Sequence, residues 1–433
     1  MCKIAIFWFR RDLRLNDNTG LYHALRRGFP VLPVFIFDTH ILRKLKPGDN
    51  RLPFLYQTIE SLKKQLEKRG SSLKVCFGEP LEVFRSLTDE YPVQEVFANR
   101  DYEPHARTRD KNIEQLLITK NIGFRTFKDH LIFEKSEITK EDGSPYQVFT
   151  PYSKKWKKKY TAGDSSSYDS ESFRGNFYRC SPFDMPCPER LGFTGPGTAV
   201  PPPGIDRERI LRYADSRDFP ALEGTTRLGI HLRFGTISIR ELTRVAAELS
   251  EVFLNELIWR NFFADILWHF PRVESEPFKK LYAFIEWRNN EQEFECWCRG
   301  ETGYPFVDAG MRELNCTGFM HNRVRMVVAG FLVKHLLIDW RWGEAYFAEK
   351  LLDYELASNN GNWQWTAGTG CDAVPYFRVF NPLSQQKKFD RQKQYIRKWI
   401  PELDTPDYPS PVVDLTVGRQ RAIDTYKKAL NRT

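Results

Sequence analysis

The residues best placed to do chemistry lie in the second half of the chain. In LNELIWRNFFADILWHF (254–270), Glu256, Trp259, Arg260 and Phe263 recur at i, i+3, i+4 and i+7, one face of a helix. That face should be buried, yet it carries a carboxylate and a guanidinium among aromatic rings. It reads either as a Glu–Arg pair over an aromatic core patch, or as a cavity wall offering an acceptor, a cation and a stacking surface. In FMHNRVRMVVAGFLVKHLLIDW (319–340), Asn322, Arg325 and Met326 share a face just before a stretch that is apolar all round. A buried amide and guanidinium need partners, which protein carbonyls or a polar heterocycle could supply.

A third cluster is DYELASNNGNWQWTAGTG (353–370). Asp353 and Glu355 precede Asn359 and Asn360, and Gly361 is expected to permit a sharp turn before Trp363 and Trp365. Downstream, Arg378 sits between aromatic residues in PYFRVFNP. Upstream, EGTTRLG (223–229) sets Thr225 and Thr226 before an arginine at an expected helix start. Hydroxyls and backbone N–H groups there suit a phosphate, or simply cap a helix.

The hydrolytic sets are missing. The eight His show no HExxH or other metal spacing, no GxSxG occurs, and no Cys–His pairing can be argued. The eight Cys, without zinc-like spacing, read as free thiols of a reducing cytosol. The expectation therefore moves from a metal or a nucleophile to an organic cofactor. A net charge of +9 admits a polyanion partner without requiring one. Eleven Trp, 33 Phe and 18 Tyr, with most Trp after residue 255, suit either a large core or a site of stacking surfaces.

These residues need elements to hold them. Residues 1–130 alternate strand-like runs, IAIFWF (4–9), VLPVFIFD (31–38), LKVCFG (73–78) and EVFANR (95–100), with helical segments such as 52–70. Continuous apolar strands between helices predict an α/β domain with a doubly wound parallel sheet covered on both faces. Neither GxGxxG nor a phosphate loop of the GxxxxGKS type follows the first strand. Residues 131–204 lose the rhythm and read as an interdomain connection; the five lysines of KKWKKK (154–159) are expected to be solvated and mobile, nucleic-acid contact being the other reading. From 205 to 433 the pattern is helical almost throughout, an all-α domain. No apolar run is long enough to span a bilayer, and MCKIAIFWFRRDLRL reads as a first strand, not a signal peptide.

Taken together, WFRRDLRLNDN (8–18), ELIWR (256–260), TGYPFVDAGMREL (302–314), GFMHNRVRM (318–326), NNGNWQW (359–365) and PYFRVFNP (375–382) closely resemble the photolyase/cryptochrome family, specifically class I cyclobutane pyrimidine dimer photolyases. The resemblance spans essentially the whole chain. It implies a Rossmann-like antenna-type domain, then a helical domain that binds FAD and the DNA lesion. It also implies light-driven repair: excited reduced FAD passes an electron to a pyrimidine dimer flipped out of UV-damaged DNA, the cyclobutane bonds split, and the electron returns. Carried over residue by residue, Asn359 faces flavin N5 and Asp353 contacts the ring or ribityl side, paired with Arg325. Tyr213, Arg260, Asn322 and Glu355 help hold the cofactor; Thr225, Thr226 and Leu228 match its phosphate segment. On the lesion side, Glu256 hydrogen-bonds the bases with Asn322 beside it. Trp259 and Trp365 form walls, Met326 packs on the dimer, and Arg323 and Arg378 meet DNA phosphates. Trp363, Trp340 and Trp287 match an electron relay.

Departures from the family pattern are Gly229, Asn261, Phe319 and Asn362. (6-4) photolyases carry His at the positions of Asn322 and Met326, and plant-type cryptochrome receptors carry Asp at that of Asn359. This chain has neither those His nor that Asp, so both readings stand behind dimer repair as alternatives, as does a non-catalytic DNA-binding flavoprotein. The resemblance further implies a cytoplasmic monomer acting on DNA, without metal or membrane. An antenna chromophore, folate or deazaflavin, is possible; NRDYEPHARTRD (99–110) resembles the segment lining its region.

Overall fold

A computed structural model describes residues 3–195 and 197–431. The chain forms two compact units. One comprises the chain up to Glu137 with Lys159–Ile205 and Arg227–Val245; the other comprises Ile138–Lys158, Asp206–Thr226 and the chain from Ala246. The stretch expected as a connection is thus shared out, because parts of it are anchored. Residues after 159 are tied to the first unit by Tyr178 N donating to Val31 O and Ser170 Oγ donating to Leu15 O.

In the first unit, β1 (Ile4–Phe9), β2 (Val31–Asp38), β3 (Lys74–Gly78), β4 (Val93–Asn99) and β5 (Gly123–Phe127) form one sheet in the order β3-β2-β1-β4-β5, all pairs parallel. Every residue of β1 and β2 is buried. Alternate side chains feed separate cores: Ala5, Phe7 and Phe9 on one face, Ile4, Ile6 and Trp8 on the other. Burial on both faces explains why these strands read as unbroken apolar runs. β5 escaped the sequence reading because GFRTF is a half-exposed edge strand with polar residues interspersed.

Five helices of the second unit matter for function. The first, α1 (Phe149–Lys159), contains the lysine run that was expected to be a mobile linker. Tyr152 and Trp156, each 1% exposed, anchor it. Next, α2 (Glu251–His269) begins where Ser250 Oγ accepts the Phe253 N–H. The helix expected over 319–340 is interrupted. It starts at α3 (Asn322–Gly330), capped by His321, passes into a π turn at Phe331–Leu336, and ends at Leu337 in the left-handed region (φ 53°). Asp339 then caps α4 (Trp340–Lys350) by accepting from Arg341 N.

The last, α5 (Leu356–Ala367), corrects the expected turn at Gly361, which lies inside the helix. A Cβ there would overlap the Phe263 ring on α2, so glycine permits a close helix crossing. The chain leaves α5 at Gly368, whose φ of 86° suits a C-terminal glycine. Among the described residues no helix is long and apolar enough to cross a membrane.

Candidate active site

α2, α3, α4 and α5 surround a cavity of about 350 Å³, within the size range of small-molecule sites. Tyr213, Glu256, Trp259, Arg260, Asn322, Arg325, Met326, Asp353, Glu355, Asn359, Trp363 and Trp365 all line it, so three separate sequence clusters meet in one place. α5 is set on its neighbours by two kinds of device. Glycines admit large rings: a Cβ at Gly343 on α4 would overlap Trp363, just as one at Gly361 would overlap Phe263. Amides staple the helix to the loop after α2. Gln364 donates to Val273 O and Glu276 O, at 2.9 and 3.1 Å, and accepts from Phe278 N at 2.8 Å. The amide-rich motif is therefore partly structural.

The charged residues pair differently from the i,i+4 expectation. Arg260 forms a two-pronged bond to Glu355, at 2.9 and 2.8 Å, not to Glu256. Glu256 instead meets Arg217 at 2.7 Å, a lining residue the sequence reading missed. Its only signal was that a buried carboxylate needs a cation, and nothing local named which. Burial raises the Glu256 carboxyl pKa, and Arg217 opposes the rise. Tyr213 sits under the same guanidinium, 5.2 Å from its ring centre, and burial raises its phenol.

Arg325 pairs with Asp353 at 2.9 Å, the pairing the resemblance implied, and also donates to Met320 O. Asn359 donates to Glu344 Oε1 at 2.8 Å and to Glu344 O at 3.1 Å. Burial pushes the Glu344 carboxyl up to about 6, against the Asn359 hydrogen bond. Glu344 was not singled out in the sequence, because α4 carries no anomaly around it.

Other expected residues stand outside the cavity lining. Thr225 and Thr226 precede the short helix Gly229–Phe234, and the division between units falls after Thr226, so Leu228 groups with the first unit. Arg323 is paired with Asp218 at 2.5 Å, over the Phe389 ring. Arg378 is exposed, beside Phe380. Trp340 and Trp363 are buried in one core cluster, with Trp287 packed at its edge. Trp363 also meets Phe347 at 5.0 Å and Trp297 at 6.2 Å, contacts not expected from sequence.

Two departures now have physical roles. Asn261 is buried between Tyr152, to whose hydroxyl it donates at 2.9 Å, and the Trp156 indole N–H, which it accepts at 3.3 Å. It joins α1 to α2. Asn362 reaches back along its own helix to Ser358 O at 2.8 Å, on the cavity lining.

Residues 253–407 match the FAD binding domain of DNA photolyase, and residues 5–170 match the DNA photolyase model. A deoxyribodipyrimidine photo-lyase of Halobacterium salinarum is 36% identical over 98% of this chain and 99% of its own length. The chain belongs to the DNA photolyase family. Among solved members, an archaeal photolyase from Sulfolobus tokodaii with two FAD molecules, one implied to be a novel light-harvesting cofactor, superposes with a TM-score of 0.82. The two are 35% identical over 98% of this chain and 99% of that one. A Synechocystis cryptochrome gives a TM-score of 0.83 at 27% identity, over 98% and 99% of the two chains. The family fold, a parallel-sheet domain and a helical FAD-binding domain, is the one described above.

The cavity fits the family's flavin. A flavin ring presents apolar faces and a polar edge; here aromatic walls stand beside the Arg325–Asp353 pair and the Asn359 amide. The Asn322 amide, expected to be buried, is exposed; it lines the same cavity and makes no hydrogen bond to other described residues, leaving its donors and acceptor for a ligand.

Proposed function

We propose that this chain is a light-driven DNA-repair lyase that splits cyclobutane pyrimidine dimers in UV-damaged DNA, acting in the cytoplasm as a monomer. The observation that carries the proposal is the meeting of Glu256, Trp259, Asn322, Met326 and Trp365 with Arg260, Arg325, Asp353 and Asn359 around one cavity. Lesion-side and flavin-side residues then share a single chamber.

FAD held there by these residues would supply, when reduced and lit, the electron that opens the dimer's cyclobutane ring and would regain it afterwards. The protein's part is position, polarity and dryness. Trp259 and Trp365 cover the flipped dimer and exclude water, with Met326 as the adaptable filler. Glu256, held by Arg217, hydrogen-bonds the dimer bases. Asn322 supports the same edge. Arg325, balanced by Asp353, sets charge beside the flavin, while Arg260–Glu355 and Tyr213 fix the cavity floor. Asn359 would hold the flavin ring at its N5 side, and Thr225, Thr226 and Leu228 would hold the cofactor phosphates. Trp287, Trp340 and Trp363 carry electrons in from the surface, and Arg323 and Arg378 meet DNA phosphates, Arg323 by exchanging Asp218 for one. An antenna chromophore, a folate or a deazaflavin, would bind in or beside the parallel-sheet domain.

Neither Asn322 nor Met326 is the imidazole that (6-4) repair needs. A signalling role shares the fold, as the cryptochrome neighbour illustrates, and is separated by experiment. Reduced protein mixed with an oligonucleotide holding one thymine dimer should restore thymine absorbance on illumination with near-UV to blue light. Binding of damage without restoration would overturn the repair reading.

A further inference from the structure

The lysine helix α1 has two faces. Phe149, Tyr152, Ser153 and Trp156 recur at i, i+3, i+4 and i+7; Tyr152, Ser153 and Trp156 are buried. Lys154, Lys155 and Lys158 form the opposite stripe, all exposed. The inward face is strongly held. Tyr152 donates to Asp265 at 2.6 Å and accepts from Asn261, which also takes the Trp156 N–H. Phe149 stacks flat on Trp259, with ring centres 3.6 Å apart and planes at 4°. Since Trp259 lines the cavity, the start of the helix is packed against the site's wall.

The remaining lysines of the run are engaged: Lys157 with Glu251 at 2.6 Å, and Lys159 with Glu137 O at 2.7 Å. Lys154, Lys155 and Lys158 have no acidic partner among the described residues. Three like charges gathered on one short helix repel one another and add nothing to the core. Rigid anchoring of such a stripe suits a polyanion with regularly spaced charges.

We propose that Lys154, Lys155 and Lys158 form a phosphate-binding face for the DNA duplex flanking the lesion. This rests on the repair reading for its lesion but not for its phosphates. At about 1.5 Å per residue the three lie roughly 7–14 Å along the helix from Phe149. None of the three lines the cavity, so the contacts fall beside the flipped dimer and not on it. They position the backbone and carry no damage specificity.

The test compares the full chain with its K154Q/K155Q/K158Q variant and the charge-keeping K154R/K155R/K158R variant. Flavin content checks folding, and affinity for damaged and undamaged duplex is measured across salt. Three phosphate contacts predict that the slope of log K against log salt weakens by about 2.7 in the Gln variant and returns in the Arg variant. Between 50 and 200 mM salt the wild-type chain would then lose about forty-fold more affinity than the Gln variant. Both duplexes should be affected alike. An unchanged slope, or a change confined to damaged DNA, would overturn the proposal. So would a slope change seen with single-stranded RNA but not with duplex. Failure of the wild-type chain to prefer damaged duplex would sink the repair reading instead, while undamaged duplex would still decide the lysine face.

Discussion

The Asn359 side chain donates to Glu344 Oε1 at 2.8 Å, so the residue expected at flavin N5 is oriented by a carboxyl group whose pKa is raised to about 6. That value lies above the ordinary 4.5 because burial disfavours the anion. The folded state therefore holds the proton more tightly than the unfolded one. Stability from this group is fully present below pH 4.5 and is lost as pH rises through about 6. Urea unfolding of wild type and Glu344→Gln should show a pH-dependent difference of about 2 kcal/mol, with wild type losing ground between pH 4.5 and 7. Parallel pH profiles would remove Glu344 as the titrating group.

Gly361→Ala places a methyl group into the Phe263 ring at the α2–α5 crossing. Overpacking of this kind costs about 1–3 kcal/mol. Because Phe263 and Asn359 both line the cavity, flavin content at purification should fall along with the urea midpoint. A variant with full flavin content and unchanged stability would show that the crossing relaxes freely.

Glu256→Ala leaves Arg217 without its partner and removes the carboxyl from the lesion side. Repair per photon should fall at least several-fold while flavin content stays near wild type. Glu256→Gln, which keeps a hydrogen-bonding edge, should fall less. Flavin loss in the Ala variant would move Glu256 from lesion to cofactor.

Trp340→Phe should slow photoreduction of the flavin yet spare repair by protein reduced chemically beforehand. Equal deficits before and after chemical reduction would contradict the relay. Trp297, which meets Trp363 edge-on, supplies a control. If Trp297→Phe slows photoreduction as much as Trp340→Phe, electrons also enter by that ring.

What the sequence made legible follows physical lines. β1 and β2 were readable because a parallel sheet buried on both faces writes itself as continuous apolar residues. β5 was not, since an edge strand has no such run. The cavity lining was largely readable because Glu256 and Arg325 are polar residues on half-buried faces, and because whole motifs resemble a family; Asn322, expected to be buried, is exposed. Residues whose role is set across space were hidden. Gly361 read as a turn because its true reason, the Phe263 ring, is 98 positions away in sequence. Arg217, just after a short helix, and Glu344, within α4, gain meaning only from Glu256 and Asn359. The lysine run was misread because its charges mask an inward face of Phe149, Tyr152 and Trp156, whose spacing carried the signal. The break after Gly330 was invisible because a π turn keeps the same apolar composition as the α-helix before it.

Whether one cavity holds both the flavin and the lesion is tested most directly by single-turnover repair. A stoichiometric oligonucleotide with one thymine dimer is bound to the reduced protein and given a light flash, and thymine absorbance is followed. Absorbance should be restored with the flavin ending as reduced as it began, and should not change in the dark. Tight binding of the damaged oligonucleotide with no restoration under light would contradict the shared cavity.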